Sequence, residues 1–186
     1  MTLANQITIL RIGLIPIFAA LARAYGRSVQ AGAPDEKLRR LAACTFLVAA
    51  VSDGLDGFAA RRLNQKSVLG TILDPIADKG LMLVALALLG LAPWNRQVPR
   101  WYPVLVISRD TVLGIGYWLL RRNRVHVQVQ PSPIGKMATV FQLLSVLEVL
   151  LRTGRMSVPG LVRVASLLTA ASGFGYVYDG ITQARH

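Results

Sequence analysis

Four aspartates lie in two consecutive apolar stretches of the chain, at residues 41–60 and 68–92. In the first stretch, two carboxylates and two small residues follow the spacing i, i+3, i+4, i+7 and share one face of a helix: Asp53, Asp56, Gly57 and Ala60. In the second, a glycine and two carboxylates recur at every fourth residue: Gly70, Asp74 and Asp78. Because the connection between the stretches is short, the two faces are expected to meet as antiparallel neighbours.

These carboxylates are costly where they lie, since one aspartate near the middle of a membrane-spanning helix costs about 2.5 to 3.5 kcal/mol. Four of them together in a medium of low dielectric constant repel one another and take up protons unless a cation joins them. Oxygen ligands without histidine or cysteine suit Mg²⁺, Mn²⁺ or Ca²⁺. The pattern therefore predicts a divalent metal site. The structural alternative is a set of buried ion pairs with Arg61, Arg62, Lys66, Lys79 and Arg109.

Small residues alternate with the carboxylates along both stretches: Gly54, Gly57, Ala60 and Gly70. A bulky diphosphate approaches a helix backbone only where side chains are absent, so this arrangement favours a ligand pocket beside the metal. Close packing of the two helices, which small residues commonly allow in membranes, is the alternative.

The composition places these residues in a membrane, because 53% of the 186 residues are hydrophobic and only 16% are charged. Six apolar stretches approach the roughly 20 residues that cross a bilayer. They are residues 7–22, 41–60, 68–92, 101–120, 134–151 and 158–181. We therefore predict an all-α integral membrane bundle of about six transmembrane helices, with residues 1–186 as one domain.

The chain is strongly basic, with a formal net charge of +12. Its Lys and Arg residues flank the apolar stretches and form no single patch, which argues against nucleic acid and favours anionic lipid headgroups as partners. They fall on both sides of the predicted bundle, so the positive-inside rule does not decide the orientation. Cys44 is the only cysteine, and its apolar surroundings indicate a small residue that packs between helices.

The spacing of these residues resembles a known signature. Asp53-x-x-Asp56-Gly57-x-x-Ala60-Arg61, eight further positions, and then Gly70-x-x-x-Asp74-x-x-x-Asp78 are similar to the complete motif of the CDP-alcohol phosphatidyltransferase family. Outside the motif, Asn5-Gln6-Ile7-Thr8-x-x-Arg11 resembles the family's N-terminal opening. Ile107-Ser108-Arg109-Asp110 and Gly135-Lys136-x-x-Thr139-x-x-Gln142 resemble the branch that makes phosphatidylglycerophosphate or cardiolipin.

The resemblance implies transfer of a phosphatidyl group from CDP-diacylglycerol to an alcohol, with release of CMP. It implies that Asp53, Asp56 and Asp74 hold one or two ions, Mg²⁺ or Mn²⁺, and that Asp78 is near the metal and accepts the proton of the attacking hydroxyl. The residues implied for CDP-diacylglycerol binding are Gly57, Ala60, Arg61, Gly70, Asn5 and Thr8. A homodimer in a bacterial inner membrane, with the active site facing the cytoplasm, is implied as well.

The acceptor alcohol is predicted from two cations that lie where an unpaired charge costs free energy. They are Arg109 within the fourth stretch and Lys136 at the start of the fifth. Both favour an anionic acceptor, although an ion pair of Arg109 with Asp110 or with a motif aspartate is the alternative. Glycerol 3-phosphate is placed first because the short chain suits a compact bacterial enzyme. Phosphatidylglycerol, which gives cardiolipin, is the second candidate.

A divalent-cation transporter is a hypothesis from another class. An ion path distributes carboxylates along a pore, whereas these crowd into one predicted hairpin with glycines, so the transporter is disfavoured. Glu148, in the fifth stretch, is left without a predicted role.

Overall fold

The computed structural model describes the backbone of residues 3–63, 68–95, 97–122 and 132–184, and the side chains of residues 8–52, 79–95, 97–116 and 132–176. The described residues form six helices and no strand. They are α1 (Leu3–Gln30), α2 (Glu36–Leu63), α3 (Val68–Leu91), α4 (Trp101–Arg122), α5 (Pro133–Leu151) and α6 (Val158–Ala184). The all-α class and the number of helices are as predicted.

The membrane assignment is also confirmed. Three helices of the described part are long and apolar enough to cross a bilayer: Thr8–Gln30, Pro133–Leu151 and Val158–Tyr176. Large apolar side chains lie on the outer surface, including Leu167 at 72% and Phe174 at 78% exposed. In water such a surface is unfavourable, whereas lipid tails cover it at no cost.

The first connection is much shorter than expected. The predicted apolar stretches 7–22 and 41–60 leave residues 23–40 to link the first two helices, but α1 continues to Gln30 and α2 begins at Glu36. Gly32, with φ +74°, takes the left-handed conformation that ends a helix. Asp35 caps the next one, since its Oδ1 accepts the Lys37 amide at 2.9 Å. Polar residues thus extend both helices beyond the apolar stretches.

The chain divides into two compact units, and unit 1 comprises Met1–Gln97 with Leu150–Arg152. In unit 1, α1 packs against both α2 and α3. The buried face of α1 includes Phe18, Ala22 and Tyr25. Phe18 meets Phe46 of α2 with ring centroids 5.5 Å apart.

A polar network closes the end of unit 1 where α1 ends and α2 begins. Arg152 donates to Glu36 Oε1 at 3.0 Å and to the Tyr25 hydroxyl at 3.1 Å. Arg39 donates to Glu36 Oε2 at 2.6 Å and to the Leu150 carbonyl oxygen. The guanidinium groups therefore tie the segment at Leu150–Arg152 to the first two helices.

Unit 2 comprises Val98–Val149 and Thr153–His186. Here α4 packs against α6, and α5 is linked to α6 by a buried hydrogen bond from Gln142 Nε2 to Thr169 Oγ1 at 3.0 Å. Glu148 is 1% exposed and accepts hydrogen bonds from the Thr153 hydroxyl and, at 2.7 Å, from the Gly154 amide. Its carboxylate therefore holds the turn after α5. That residues 1–186 form a single domain stays a prediction.

The expectation for Cys44 is wrong. Its side chain is exposed, on the same outward stripe of α2 as Val48 and Val51, which are 52% and 56% exposed. The buried face of α2 carries Ala42, Phe46 and Ala49 instead. Cys44 is two residues from both Ala42 and Phe46, which is about half a helical turn, so it points away from that face.

Candidate active site

The motif aspartates are carried by one helical hairpin of unit 1. Asp53 and Asp56 belong to the second half of α2, and Asp74 and Asp78 to the first half of α3. These two helices are in contact. The side chains of the predicted metal and CDP-diacylglycerol ligands on this hairpin lie outside the described ones: Asp53, Asp56, Gly57, Ala60, Arg61, Gly70, Asp74 and Asp78.

Two described contacts of α1 set the register of this hairpin. The first is the pair Phe18 and Phe46, between α1 and α2. The second joins α1 to α3, because a Cβ placed on Gly80 lies 3.4 Å from Ile15 Cδ1. The short connection after α1 reverses the chain, so α2 runs antiparallel to α1. Ile15 and Gly26 of α1 meet Gly80 and Ala92 in the same order along the chain, so α3 runs parallel to α1.

This register brings the four aspartate positions to one depth. Position 53 is seven residues beyond Phe46, just as position 11 is seven residues before Phe18, and both steps are about 10 Å at 1.5 Å per residue. Counted in the same way from Gly80 and Ile15, positions 74 and 78 are level with residues 9 and 13 of α1. All four positions therefore fall within about 8 Å along the axis.

The donor chemistry at this depth fits a hard divalent cation. Asp53, Asp56, Asp74 and Asp78 supply carboxylate oxygens alone, the ligands that Mg²⁺ and Mn²⁺ prefer. Among the side chains that the structure describes, which exclude these four aspartates, no group of three or more His, Cys, Asp or Glu residues is close enough to hold a metal ion. The assignment of the four aspartates to a metal site, with Asp78 near the metal, stays a prediction.

Two residues of the α1 opening were predicted to contact CDP-diacylglycerol. Thr8 is 1% exposed and lies on the buried face of α1, one turn before the equally buried Arg11. The side chain of Asn5 lies outside the described ones. Thr8 therefore faces the packed side of unit 1, at the depth of the aspartates.

Arg109, predicted to bind the acceptor, is held by hydrogen bonds to neighbours within unit 2. Its Nη1 forms an ion pair with Asp110 Oδ1 at 2.8 Å, and its Nη2 donates to Ser172 Oγ at 3.0 Å. The alternative pairing with Asp110 is thus present. The side chain is only 16% exposed, and its Nε is buried without a hydrogen-bond partner in the described structure. One strong donor of the guanidinium is therefore left over.

The start of α5 lies directly beside this guanidinium. A Cβ built on Gly135 would be 3.0 Å from Arg109 Nη2 and 3.0 Å from Ser172 Oγ. Ser132 caps the helix, since its Oγ accepts the Gly135 amide at 3.1 Å, and its own amide donates to the Tyr176 hydroxyl at 2.8 Å. Lys136 follows in the first turn and is exposed.

The structure thus gathers Arg109 and the first turn of α5, which carries Lys136, in one region of unit 2. Positive charge from two side chains and from the N-terminal end of a helix favours an anion there. Sequence reasoning missed Ser132, Ser172 and Tyr176 as parts of this region. The Ser132-Pro133 pair was a usable signal, because serine before proline is typical of a helix start.

Comparisons with known proteins establish the family to which the chain belongs. The family model described as CDP-alcohol phosphatidyltransferase matches residues 1–175. A Mycobacterium tuberculosis protein described as "Probable phosphatidylglycerophosphate synthase" is 34% identical over 182 residues, covering 94% of this chain and 79% of that protein. The Bacillus subtilis "CDP-diacylglycerol--glycerol-3-phosphate 3-phosphatidyltransferase" is 36% identical over 154 residues, with 80% and 76% covered.

A cardiolipin-forming relative is also similar. The Streptomyces coelicolor "Cardiolipin synthase (CMP-forming)" is 31% identical over 180 residues, covering 97% of this chain and 75% of that protein. A match along residues 1–175, together with relatives of this similarity and coverage, establishes the family. The chain is a membrane enzyme that belongs to the CDP-alcohol phosphatidyltransferase family.

Proposed function

We propose that this enzyme transfers the phosphatidyl group of CDP-diacylglycerol to glycerol 3-phosphate, giving phosphatidylglycerophosphate and CMP. The observation that carries the choice of acceptor is the buried guanidinium of Arg109 against the start of α5. Two of the relatives are named for this product or this acceptor. Phosphatidylglycerol, the acceptor of a cardiolipin synthase, is the less favoured candidate.

The Arg109 region suits a small phosphate monoester. Asp110 neutralises one side of the guanidinium, but the buried Nε still lacks an acceptor in the described structure. A phosphate oxygen provides one, and charge-assisted hydrogen bonds of this kind are the strong ones. Lys136, exposed one residue after Gly135, supplies a second cation. A dianionic phosphate uses two cations better than the single-charged phosphodiester of phosphatidylglycerol does.

The aspartate hairpin supplies the other half of the chemistry. A divalent cation bound there would neutralise the diphosphate and make CMP a better leaving group. Asp53, Asp56 and Asp74 would hold that cation through carboxylate oxygens. Asp78 would accept the proton as the acceptor hydroxyl attacks phosphorus in line with the departing CMP. Gly57, Ala60, Arg61 and Gly70 would leave room for the diphosphate beside the helix backbones, and Asn5 and Thr8 would complete the CDP-diacylglycerol pocket from α1.

The proposal is tested by the product. Purified protein is supplied with CDP-diacylglycerol and one acceptor at a time, and the lipid formed is identified by mass spectrometry. Glycerol 3-phosphate is expected to give phosphatidylglycerophosphate at the highest rate. Faster formation of cardiolipin from phosphatidylglycerol would overturn the choice of acceptor while leaving the reaction class intact.

The acceptor site is tested by substitution. Arg109→Ala and Lys136→Ala should each raise the KM for glycerol 3-phosphate by an amount that corresponds to about 1.5 to 3 kcal/mol, with little change in the KM for CDP-diacylglycerol. Arg163→Ala, at an exposed arginine of α6, is the matched control and should change neither constant. An effect on the CDP-diacylglycerol constant alone would show that the two cations serve the other substrate.

The metal site is tested separately. Asp53→Asn, Asp56→Asn and Asp74→Asn keep the size of the side chain and remove its charge, so each should abolish turnover and leave the protein folded. Near-normal activity of any of them at limiting Mg²⁺ would remove that residue from the ligand set. Turnover that persists after exhaustive chelation would show that no divalent metal is needed.

Orientation and assembly are part of the same proposal. We propose that the enzyme lies in the bacterial inner membrane with its active site towards the cytoplasm, and its bacterial relatives support a bacterial membrane. We also propose that it forms a homodimer. Cys44 is the only cysteine, so Lys136→Cys in a Cys44→Ser background creates a single label site. If the start of α5 faces the cytoplasm, an impermeant maleimide should not label that cysteine in intact cells. If the protein is a homodimer, light scattering of the purified protein should give twice the mass of the chain.

A further inference from the structure

Arg11 is the largest fully buried side chain of the described structure, at 1% exposed. It lies in α1, within the segment Thr8–Gln30 that is long and apolar enough to span a membrane. An arginine at the centre of such a segment costs about 2.5 to 3.5 kcal/mol on insertion scales, and Arg11, at the fourth residue of the segment, is fully buried as well. Buried cations in membranes are retained where they face the bundle interior and meet negative charge.

The two contacts of α1 place this cation at the level of the aspartates. Phe18 meets Phe46, and seven residues make almost two full turns, so Arg11 and position 53 lie on the facing sides of α1 and α2. Ile15 meets Gly80, so Arg11 is level with position 76, midway between Asp74 and Asp78. The positive charge of Arg11 therefore lies at the same depth in unit 1 as the positions of the four motif aspartates.

We infer that Arg11 is a positioning residue for the aspartate cluster, a permanent counter-charge built into α1. The inference rests on the proposed metal site. The side chain of Arg11 is only 1% exposed and is packed inside unit 1, so it acts through the carboxylates at its own depth. It reduces the repulsion among the carboxylates, and because it repels a metal cation it also weakens metal binding. A bidentate guanidinium fixes a carboxylate in one orientation, which an ammonium does less well.

The test separates charge from packing. Arg11→Met keeps the length of the side chain and removes its charge, Arg11→Gln is a second neutral variant, and Arg11→Lys keeps the charge. Arg23→Met is the matched control, because Arg23 is exposed on the same helix, about 18 Å along the axis from Arg11. Binding of Mn²⁺ to the purified, detergent-solubilised protein is measured by the electron paramagnetic resonance of the free ion, without substrate.

The neutral variants should bind Mn²⁺ about tenfold more tightly, since a nearby positive charge has gone. Their kcat at saturating metal should fall by about tenfold or more, because the carboxylates are less well oriented. Arg11→Lys should stay within about threefold of wild type in Mn²⁺ affinity, and Arg23→Met should match wild type.

Unchanged Mn²⁺ affinity in a folded neutral variant would overturn the inference, because a purely structural arginine changes stability and not metal affinity. If neither neutral variant folds, Arg11→Lys decides, and a change of tenfold or more in its Mn²⁺ affinity would also overturn it. A wild-type protein that binds no Mn²⁺ would instead refute the proposed metal site itself.

Discussion

Gly135→Ala is the most direct test of the acceptor region, because it changes a single methyl group. The added Cβ would lie 3.0 Å from Arg109 Nη2 and Ser172 Oγ and 3.2 Å from Ser132 Oγ, closer than ordinary van der Waals contact. The guanidinium must therefore move by several tenths of an ångström, which strains its 3.0 Å hydrogen bond to Ser172. No charge is removed, so any change in kinetics reports the position of the guanidinium.

The expected decrease in activity follows from the proposed contact between the Arg109 guanidinium and the acceptor phosphate, which the displaced guanidinium would lose. A charge-assisted hydrogen bond contributes about 1.5 to 3 kcal/mol, which corresponds to about a 10- to 150-fold decrease in kcat/KM for glycerol 3-phosphate. The assay varies glycerol 3-phosphate at saturating CDP-diacylglycerol in mixed micelles. The constants for CDP-diacylglycerol should change little, because the substitution alters no residue that is predicted to contact that substrate.

Gly114→Ala is the control, since a Cβ at that position of α4 has no atom within 4 Å. Alanine is favoured over glycine in a helix by up to about 1 kcal/mol, so this variant should be at least as stable as wild type and equally active. A folded Gly135→Ala protein with unchanged acceptor kinetics would refute the reasoning, because Arg109 would then not need its present position.

Three further predictions concern other parts of the chain. Asp78→Asn should leave CDP-diacylglycerol binding intact and lower kcat by about 10² to 10⁴-fold, whereas rescue to wild-type turnover at high Mg²⁺ would make Asp78 a metal ligand instead of a base. Glu148→Ala should destabilise the protein by about 2 to 4 kcal/mol in a denaturation titration, because it removes the two hydrogen bonds that the buried carboxylate accepts from Thr153 and Gly154. Glu36→Ala, at a half-exposed carboxylate, should cost less. The hydrogen bond from Arg39, followed by the charges of Arg39 and Arg152, lowers the pKa of Glu36 below its ordinary value of 4.5. The stability that the Glu36 carboxylate contributes is therefore present above about pH 4.5 and is lost as the pH falls further. Glu36→Gln should remove this loss of stability in acid, and a loss that persists in the variant would belong to another group.

Helix positions could be predicted from the sequence because hydrophobic runs of bilayer length have one structural outcome. Lipid offers no partner for the backbone, so an apolar stretch such as residues 158–181 forms a helix, and α6 runs from Val158 to Ala184. The ends were less predictable. Tyr25 and Ser28 belong to α1, although hydropathy alone assigned them to a connection. Polar residues outside the bilayer core still continue a helix until a residue such as Gly32 ends it.

Contacts between distant residues were the part that the sequence did not reveal. The role of Glu148 depends on Thr153 and Gly154, which approach it only because the turn after α5 folds back. The neighbours of Arg109 were half predictable, since Asp110 is adjacent in sequence whereas Ser172 is 63 residues away. Spacing identifies residues that share one helix face, but it carries no information on which faces of different helices meet.

The buried face of α1 shows how one helix serves both stability and chemistry in unit 1. Arg11, Phe18 and Tyr25 follow one another at seven-residue intervals and are all buried. The apolar ring of Phe18 packs in the middle against Phe46, while the Tyr25 hydroxyl accepts hydrogen bonds from Arg152 and Asn95 at one end. Arg11 lies at the depth of the aspartate positions, about 21 Å along the helix axis from Tyr25 at 1.5 Å per residue. Substitutions at the Tyr25 end should therefore change stability, whereas those at the Arg11 end should change metal binding and turnover.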